Sequence, residues 1–371
     1  MNKSLHIISF DIPFPANYGG VIDVFYKLKA LYEAGVSITL HCFEYGDRQV
    51  QTELNKYCKE VYYYKRKKWV VNLTLPYLVS SRNHPQLIKN LLKDDAPILF
   101  EGLHSTYLIN NIQLKNRIKL VRMHNIEHDY YDLLAASENN IFLKTYYYIE
   151  SKLLKNYECR LHNAQYILAI SAKDYTDLHK YYGRKVKLTP AFHGNKQVNI
   201  QTGKGDFSFY HGKLSVAENN LAALYLVNEV FSKRSDTLII GGDGASKELQ
   251  NAIAKYPHID LKQNLNPEAI NEYIRKAHIN ILPTFQATGI KLKLINVMYN
   301  GRFILVNSPM VAETGLAEVT QIADSAEEMN EKINLLNQQV FSEDQLQYRK
   351  DVLKNKFDVQ MHAHQIIELL D

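Results

Sequence analysis

The chain has 371 residues, 46% of them apolar and 22% charged, which is ordinary globular composition and enough for two domains of usual size. No run of about 18 uncharged apolar residues occurs, so no spanning helix is expected. The net charge of +5 is modest, and no helix-turn-helix or ribonucleoprotein motif accompanies it, which argues against nucleic acid as a partner.

Strands and helices alternate along the first half. Leu5–Phe10 reads as a strand that follows a single lysine, without the apolar core and cleavage site of a signal peptide. A helix follows from Val21 to Ala34, stopped by Gly35. Ser37–Phe43, Val61–Tyr64, Ile98–Phe100, Arg117–Met123 and Tyr166–Ile170 read as further strands. Helices are expected over Leu143–His162 and Lys173–Tyr182. Alternation of this kind predicts a mainly parallel sheet with helices on both faces. Cys42, Cys58 and Cys159 are odd in number and form no Cys-x-x-Cys pair, so free thiols in a reducing cytoplasm are expected.

After Val186–Ala191 the texture changes. Phe192 to Gly205 holds three glycines among scattered polar residues and has no period, as an interdomain linker would. A second α/β series then begins. Strands are expected at Phe207–Tyr210, Thr237–Ile240, Ile259–Lys262, Ile279–Leu282 and Phe303–Val306, and helices at Asn220–Phe231, Ser246–Ala254 and Pro267–Lys276. Gln345–Leu370 reads as a terminal helix pair. The domains expected are 1–191 and 206–344.

Four segments hold residues that could do chemistry. Asn17-Tyr18-Gly19-Gly20 lies between the first strand and first helix, where glycines let a ligand approach the backbone; a tight turn is the plain alternative. His124-Asn125-Ile126-Glu127-His128 follows the fifth strand. Its imidazole could trade a proton near neutral pH, or His124 and His128, four apart, could share a helix face as metal ligands, though the order is not His-Glu-x-x-His. A turn-capping His is the plain alternative. Tyr210-His211-Gly212-Lys213 opens the second series, where a solvated lysine is the plain reading of Lys213. Last, Pro283 ends a buried strand, a polar loop with Gly289 follows, and a helix opens with Lys291 and Lys293 in its first turn. A loop opening a helix at the carboxyl edge of a parallel sheet presents N–H groups to phosphate oxygens, although most such crossovers bind nothing.

These segments, in this order and spacing, resemble the retaining GT-B glycosyltransferases that use nucleotide-activated sugars. The donor signature of that family is matched at Pro283, Gly289, Lys291, Lys293, Met298 and Gly301, and Ala312-Glu313-Thr314-Gly315-Leu316 occupies its later turn. The resemblance is strongest at residues 5–35, 117–131, 207–221 and 279–316. It implies two Rossmann-like domains facing across a cleft, with the terminal helix of about 345–371 returning to the first. It also implies a catalytic role for His124 beside the transferred sugar. Donor binding would fall to Gly19, Gly20, Lys213, Gly289, Ile290, Lys291, Lys293 and Asn296, with Asn17 and Tyr18 on the acceptor side. Neither a metal nor a resident cofactor is implied; the nucleotide sugar is substrate, and the acceptor is a glycan or lipid-linked sugar of a bacterial surface polysaccharide.

The chain departs from the pattern at three places. Asn296 and Thr288 stand where the family has its acidic pair, and Asn219 where it has a second lysine. A GT-B protein that binds a nucleotide sugar or glycan without turning it over is therefore a rival reading, although a neutral amide still hydrogen-bonds ribose. An epimerase on this fold would need cleft carboxylates that the sequence does not locate. Other chemistries lack their motifs: Gly241-Gly242-Asp243-Gly244 has the wrong spacing for a dinucleotide fingerprint, and no Walker loop or Gly-x-Ser-x-Gly elbow occurs.

Charge is unevenly spread. Residues 1–190 hold 26 Lys/Arg against 18 Asp/Glu, and residues 191–371 hold 18 against 21. The densest cluster, Lys65-Arg66-Lys67-Lys68 beside Trp69, suits peripheral contact with anionic membrane; a solvated turn is the alternative.

Overall fold

A computed structural model describes residues 3–68, 72, 74–285 and 291–371. The chain divides into two compact units. One comprises Met1–Gly194 with Phe357–Asp371, and the other Asn195–Lys356.

The first unit is built on seven parallel strands: β1 (Ser4–Ser9), β2 (Ser37–Glu44), β3 (Glu60–Lys65), β4 (Ile98–Glu101), β5 (Lys119–Met123), β6 (Tyr166–Ala169) and β7 (Val186–Leu188). Their order across the sheet is β3-β2-β1-β4-β5-β6-β7. Neighbouring residues of each strand point to opposite faces, and both faces are apolar. Ile8, Phe100, Val121 and Ile167 enter one core while Ile7, Leu99, Leu120 and Leu168 enter the other. The second core is closed by Leu28 and Leu31 of the helix Gly19–Glu33 and by Ala363, Ile366 and Leu370 at the chain's end. Gly35, at φ 85°, ends that helix in the left-handed region.

The second unit repeats the plan with six parallel strands: β8 (Ser208–His211), β9 (Leu238–Gly241), β10 (Ile259–Lys262), β11 (Ile279–Leu282), β12 (Phe303–Val306) and β13 (Gln321–Ile322), ordered β10-β9-β8-β11-β12-β13. In both sheets the winding reverses beside the first strand: between β1 and β4, and between β8 and β11. The carboxyl ends of strands at such a reversal are where open α/β sheets bind ligands.

Several boundaries differ from the sequence reading for identifiable reasons. The linker begins later than Phe192, because Phe192 is buried and its N–H donates to Asp23 Oδ1 (2.8 Å). The helix expected at Asn220 starts at Ala217 and passes through a π turn at Leu226–Val230. The terminal pair runs Glu343–Phe357 and Val359–Glu368, divided by Asp358, whose carboxylate accepts from the N–H groups of Gln360 and Met361 (2.8 and 3.0 Å). Only the second of these helices belongs with the first unit. The other is held in the second by Arg349, which donates to the carbonyls of Gly301 and Arg302 (2.7 and 2.8 Å). A further helix, Glu127–Ser137, stands directly after the His124 segment.

Candidate functional site

In the first unit the loop after β1 carries Asn17, Tyr18, Gly19 and Gly20. It is braced rather than loose. The Tyr18 hydroxyl donates to Asp11 Oδ2 (2.5 Å), and Arg48 donates to Asn17 Oδ1 and to the Ile12 carbonyl (both 2.8 Å) while its guanidinium lies 5.5 Å from the Tyr18 ring centre. Gly20 is required by packing, since a Cβ there would meet the Phe10 ring at 2.7 Å. Gly19 has open space around it, with room for a ligand against the helix N-terminus.

Beneath this loop lies a buried ion network. Asp23 accepts from Lys27 Nζ (2.9 Å) and from Arg122 Nε and Nη2 (3.1 and 2.8 Å). Glu101, at the end of β4, accepts from the same Lys27 Nζ (2.9 Å) and from His124 Nε2 (3.1 Å). Burial alone would raise the Asp23 carboxyl, but Arg122, Lys27 and His124 outweigh it and hold the group well below the carboxylate range. For Glu101 burial again opposes, and Lys27 and His124 prevail, leaving it lowered. Asp23, Glu101 and His124 offer atoms within 4.8 Å of one another, a spacing that could hold a metal. Lys27 already donates to both carboxylates, so a divalent ion would have to displace a buried ammonium.

His124 follows β5 and is only 5% exposed, its ring edge-on to Phe10 with centroids 5.3 Å apart. Nε2 is committed to Glu101, and Nδ1 has no hydrogen-bond partner among the described residues. The reading that His124 and His128 share a helix face is corrected. His124 precedes the helix, while His128 lies within it and bonds Glu158 (2.9 Å).

Two neighbours that the sequence did not single out complete this edge. His104 follows Gly102, which stands at φ 68°, and its ring lies 5.1 Å from Phe10 on centroids. Burial, with Arg82 and His124 nearby, keeps the His104 imidazole well below its usual range. Glu127, first residue of its helix, is buried with Oε1 3.8 Å from His104 Nδ1, and neither atom has a hydrogen-bond partner among the described residues. Burial and then the Glu158 charge push the Glu127 carboxyl up to about 8. Unpartnered buried polar atoms are rare in folded proteins, and here two of them face each other.

The second unit gathers cations. Lys293, in the first turn of the helix Leu292–Asn300 after β11, is half-buried; its Nζ lies 5.0 Å from the Tyr210 ring centre and donates to Asn219 Oδ1 (2.8 Å). Asn219 donates in turn to the Lys213 carbonyl (3.1 Å). Asn219, which stands in place of a second lysine, thus tethers Lys293 to the Lys213 loop. Gly212 makes the close approach possible, because a Cβ there would lie 2.9 Å from Asn219 and 3.1 Å from Lys293 Nζ. Burial lowers Lys293 to about 8, with Glu218 opposing and Lys291 adding to the effect; Lys291 is lowered by burial against the same Glu218. Lys213 is exposed. These lysines flank the winding reversal between β8 and β11, and Glu218, bonded by the Thr284 hydroxyl, is the nearby acid. Gly289 and Ile290 lie outside the described residues, as does Thr288. Asn296 is placed differently from the lysines: it donates to Asn271 Oδ1 (2.9 Å) and accepts from Asn300 Nδ2 (3.2 Å), a chain of amides that uses both ends of its side chain.

No protein-family model matches the chain. It is 28% identical, over 341 residues and 87% of each chain, to an uncharacterised 44.6 kDa protein in the cps region of Klebsiella pneumoniae. Among solved structures it is similar to TarM, with a TM-score of 0.70 at 10% identity over 100% of this chain and 99% of that one. The apo form of the lipopolysaccharide outer core galactosyltransferase WaaB matches with a TM-score of 0.67 at 11% identity, covering 99% and 98%. A Staphylococcus aureus TarM variant in complex with fondaparinux, α-GlcNAc-glycerol and UDP matches with 0.65 at 11% identity over all of both chains. The likeness spans both Rossmann-like units, and the fold is that of the GT-B glycosyltransferases.

Proposed function

We propose that this chain is a metal-independent glycosyltransferase that moves a sugar, with retention at the anomeric carbon, from a nucleotide-sugar donor to a glycan or lipid-linked acceptor. The observation that carries the reading is the lysine group of the second unit. Lys213, Lys291 and Lys293 lie close to the N-terminus of the helix Leu292–Asn300 beside a sheet reversal, with Lys293 tied to Asn219. A diphosphate leaving group would suit such a cluster of cations, and the lysines would stabilise it as it departs, in the role a divalent ion plays elsewhere. Lys213 would act with Lys291 and Lys293, and Gly289 and Ile290 would add backbone N–H groups to the same anion. Gly19 and Gly20 would lie toward the donor, and Asn17 and Tyr18 toward the acceptor.

In the first unit His124 would stand beside the transferred sugar, held by Glu101 so that its ring cannot turn freely. His104 and Glu127 add a donor and acceptor for sugar hydroxyls on the same edge. Positioning of both substrates would supply much of the rate. TarM in complex with UDP and α-GlcNAc-glycerol supports a nucleotide donor and glycan acceptor, and the cps-region relative supports a part in surface polysaccharide synthesis.

Calorimetric titration with a panel of nucleotide sugars, followed by an assay for nucleoside-diphosphate release in the presence of glycan extracts, tests the proposal. Binding with turnover is expected. Binding without release would make the chain a binding protein, and failure to bind any nucleoside diphosphate would end the reading. His124→Ala should cut turnover while leaving donor affinity nearly intact, and a wild-type rate in that variant would return His124 to a structural part in the ion network.

A further inference from the structure

The helices Glu127–Ser137 and Ile141–Glu158 form an antiparallel hairpin in the first unit, joined in part by the Tyr131–Tyr147 ring contact (centroids 5.9 Å). Its inner end is packed: Glu150, Ser151, Leu154 and Tyr157 are buried. Its outer end is the reverse of an ordinary surface helix. Phe142 is 83% exposed, Ile141 65%, Tyr148 55% and Ile149 53%, with Leu143, Tyr146, Tyr130 and Leu133 also exposed. Positions 142, 146 and 149 recur at helical spacing, so they share one face. A contiguous apolar patch of more than a few hundred Å² is uncommon on a monomer and marks an interaction surface.

The neighbouring charge identifies the partner. Glu150 accepts from the backbone N–H groups of Tyr77 and Leu78 (3.0 and 2.7 Å), and the Tyr77 hydroxyl donates to the Lys68 carbonyl (3.0 Å). The Arg66 guanidinium lies 4.8 Å from the Tyr77 ring centre. The basic segment Lys65–Lys68 is therefore fastened beside this helix. Phe142 stands two turns before Glu150, about 12 Å along the axis, within roughly one screening length at 0.1 M salt. The hairpin's own surface charges are mixed: exposed Asp129 and half-buried Asp132 and Glu138 against exposed Lys144, Lys152 and Lys155, with Asp132 4.0 Å from Lys152. The positive excess comes from residues 65–68. Wholly apolar side chains at the tip, tyrosines behind them and cations at the flank match the layering of a bilayer surface: acyl boundary, headgroup level, anionic lipid. Among the described residues no helix is long and apolar enough to cross a membrane, so any such contact is peripheral.

We propose that the outer end of this hairpin, with Lys65–Lys68, docks the protein on an anionic lipid bilayer. This stands whether or not the chain transfers sugar. Vesicles of equal parts phosphatidylcholine and phosphatidylglycerol, and vesicles of phosphatidylcholine alone, are pelleted with the full-length protein at low and high salt. Wild type should pellet with the anionic vesicles at low salt and be released at high salt. An Ile141→Ser/Phe142→Ser variant should bind at least about tenfold more weakly at an unchanged melting temperature, because both side chains are already in water. A Lys65→Gln/Lys67→Gln/Lys68→Gln variant, which leaves Arg66 on its ring, should lose a comparable factor and most of the salt dependence. No pelleting of wild type, equal pelleting of either variant, or a wild-type dimer that Ile141→Ser/Phe142→Ser converts to monomer would overturn the proposal. The last result would assign the face to a second copy of this chain.

Discussion

The carboxyl edges of the two sheets hold ionisable groups in opposite ways. At the first, Asp23 and Glu101 meet Lys27, Arg122 and His124 inside the protein, so that every full charge faces an opposite one. At the second, Lys291 and Lys293 are half-buried near Glu218, with Lys213 exposed. A closed network serves to fix geometry, whereas the second edge gathers lysines where the proposed diphosphate would meet them. The same winding thus carries two different arrangements of charge at its reversal point.

The contrast is broken most forcefully by opening the closed network. Arg122→Met should destabilise the protein by about 3–5 kcal/mol, since Asp23 stays buried with one cation fewer. Denaturant titration checks this, and a loss under 1 kcal/mol would mean that the network is not holding the edge together.

Glu127 gives the next effect, through pH. Its folded carboxyl is pushed above the unfolded value of 4.5 to about 8, so the native state holds an extra proton between those limits. Its contribution is fully present below pH 4.5, falls as pH rises, and is lost above about 8, by at most a few kcal/mol. Asp23 and Glu101 act in the other direction, their contribution being lost as pH falls through the acid range. Melting temperatures of Glu127→Gln across pH 5–9 should lack the decline that wild type shows between about pH 5 and 8. Parallel curves would show that Glu127 does not titrate there.

At the open site, Lys213→Ala and Lys293→Met should each weaken nucleoside-diphosphate binding by about 1.5–3 kcal/mol. Because Lys293 is lowered to about 8, wild-type affinity should decline above that pH as binding comes to require proton uptake. Calorimetry of Lys293→Met should give a flatter profile, and an unaltered one would remove this lysine from the receptor.

The smallest effect tests the tether. Asn219→Ala should cost diphosphate affinity about 1 kcal/mol by releasing Lys293, with the melting curve unmoved. Unchanged affinity would leave Asn219 as a loop brace only.

Much of the architecture was legible because its signals are local. β10, β11, β12 and the helix Pro267–Lys276 fall where apolar runs and the Asn266-Pro267 start place them. The positions of His124, Lys213, Lys291 and Lys293 at strand or helix ends were likewise readable. The closed network was not. Asp23 and Lys27 look like an exposed i, i+4 pair, and only their place among Val21, Val24, Phe25 and Leu28 hinted that this face is buried. Arg122 reads as the polar half of an alternating strand until the sheet is seen to be covered on both sides. His104 and Glu127 come together only through the pairing of β4 with β5, which no local pattern encodes. The structural use of Asn219 and Asn296 was also hidden, because an amide's partner is set by distant chain.

Gly242 sits so close to the end of β8 that a Cβ on it would lie 1.9 Å from the Gly212 carbonyl oxygen. The Gly212 N–H donates to Gly241 (3.0 Å) and the Ser215 N–H to the Asp243 carbonyl (3.1 Å). The loop that presents Lys213 is therefore stitched to its neighbour before any ligand arrives. Its amides should already exchange slowly with solvent deuterium in the free protein and slow little further when a diphosphate binds. A diphosphate bound as proposed would meet a loop with little conformational entropy left to lose, so its affinity should answer to charge and fit rather than to loop ordering.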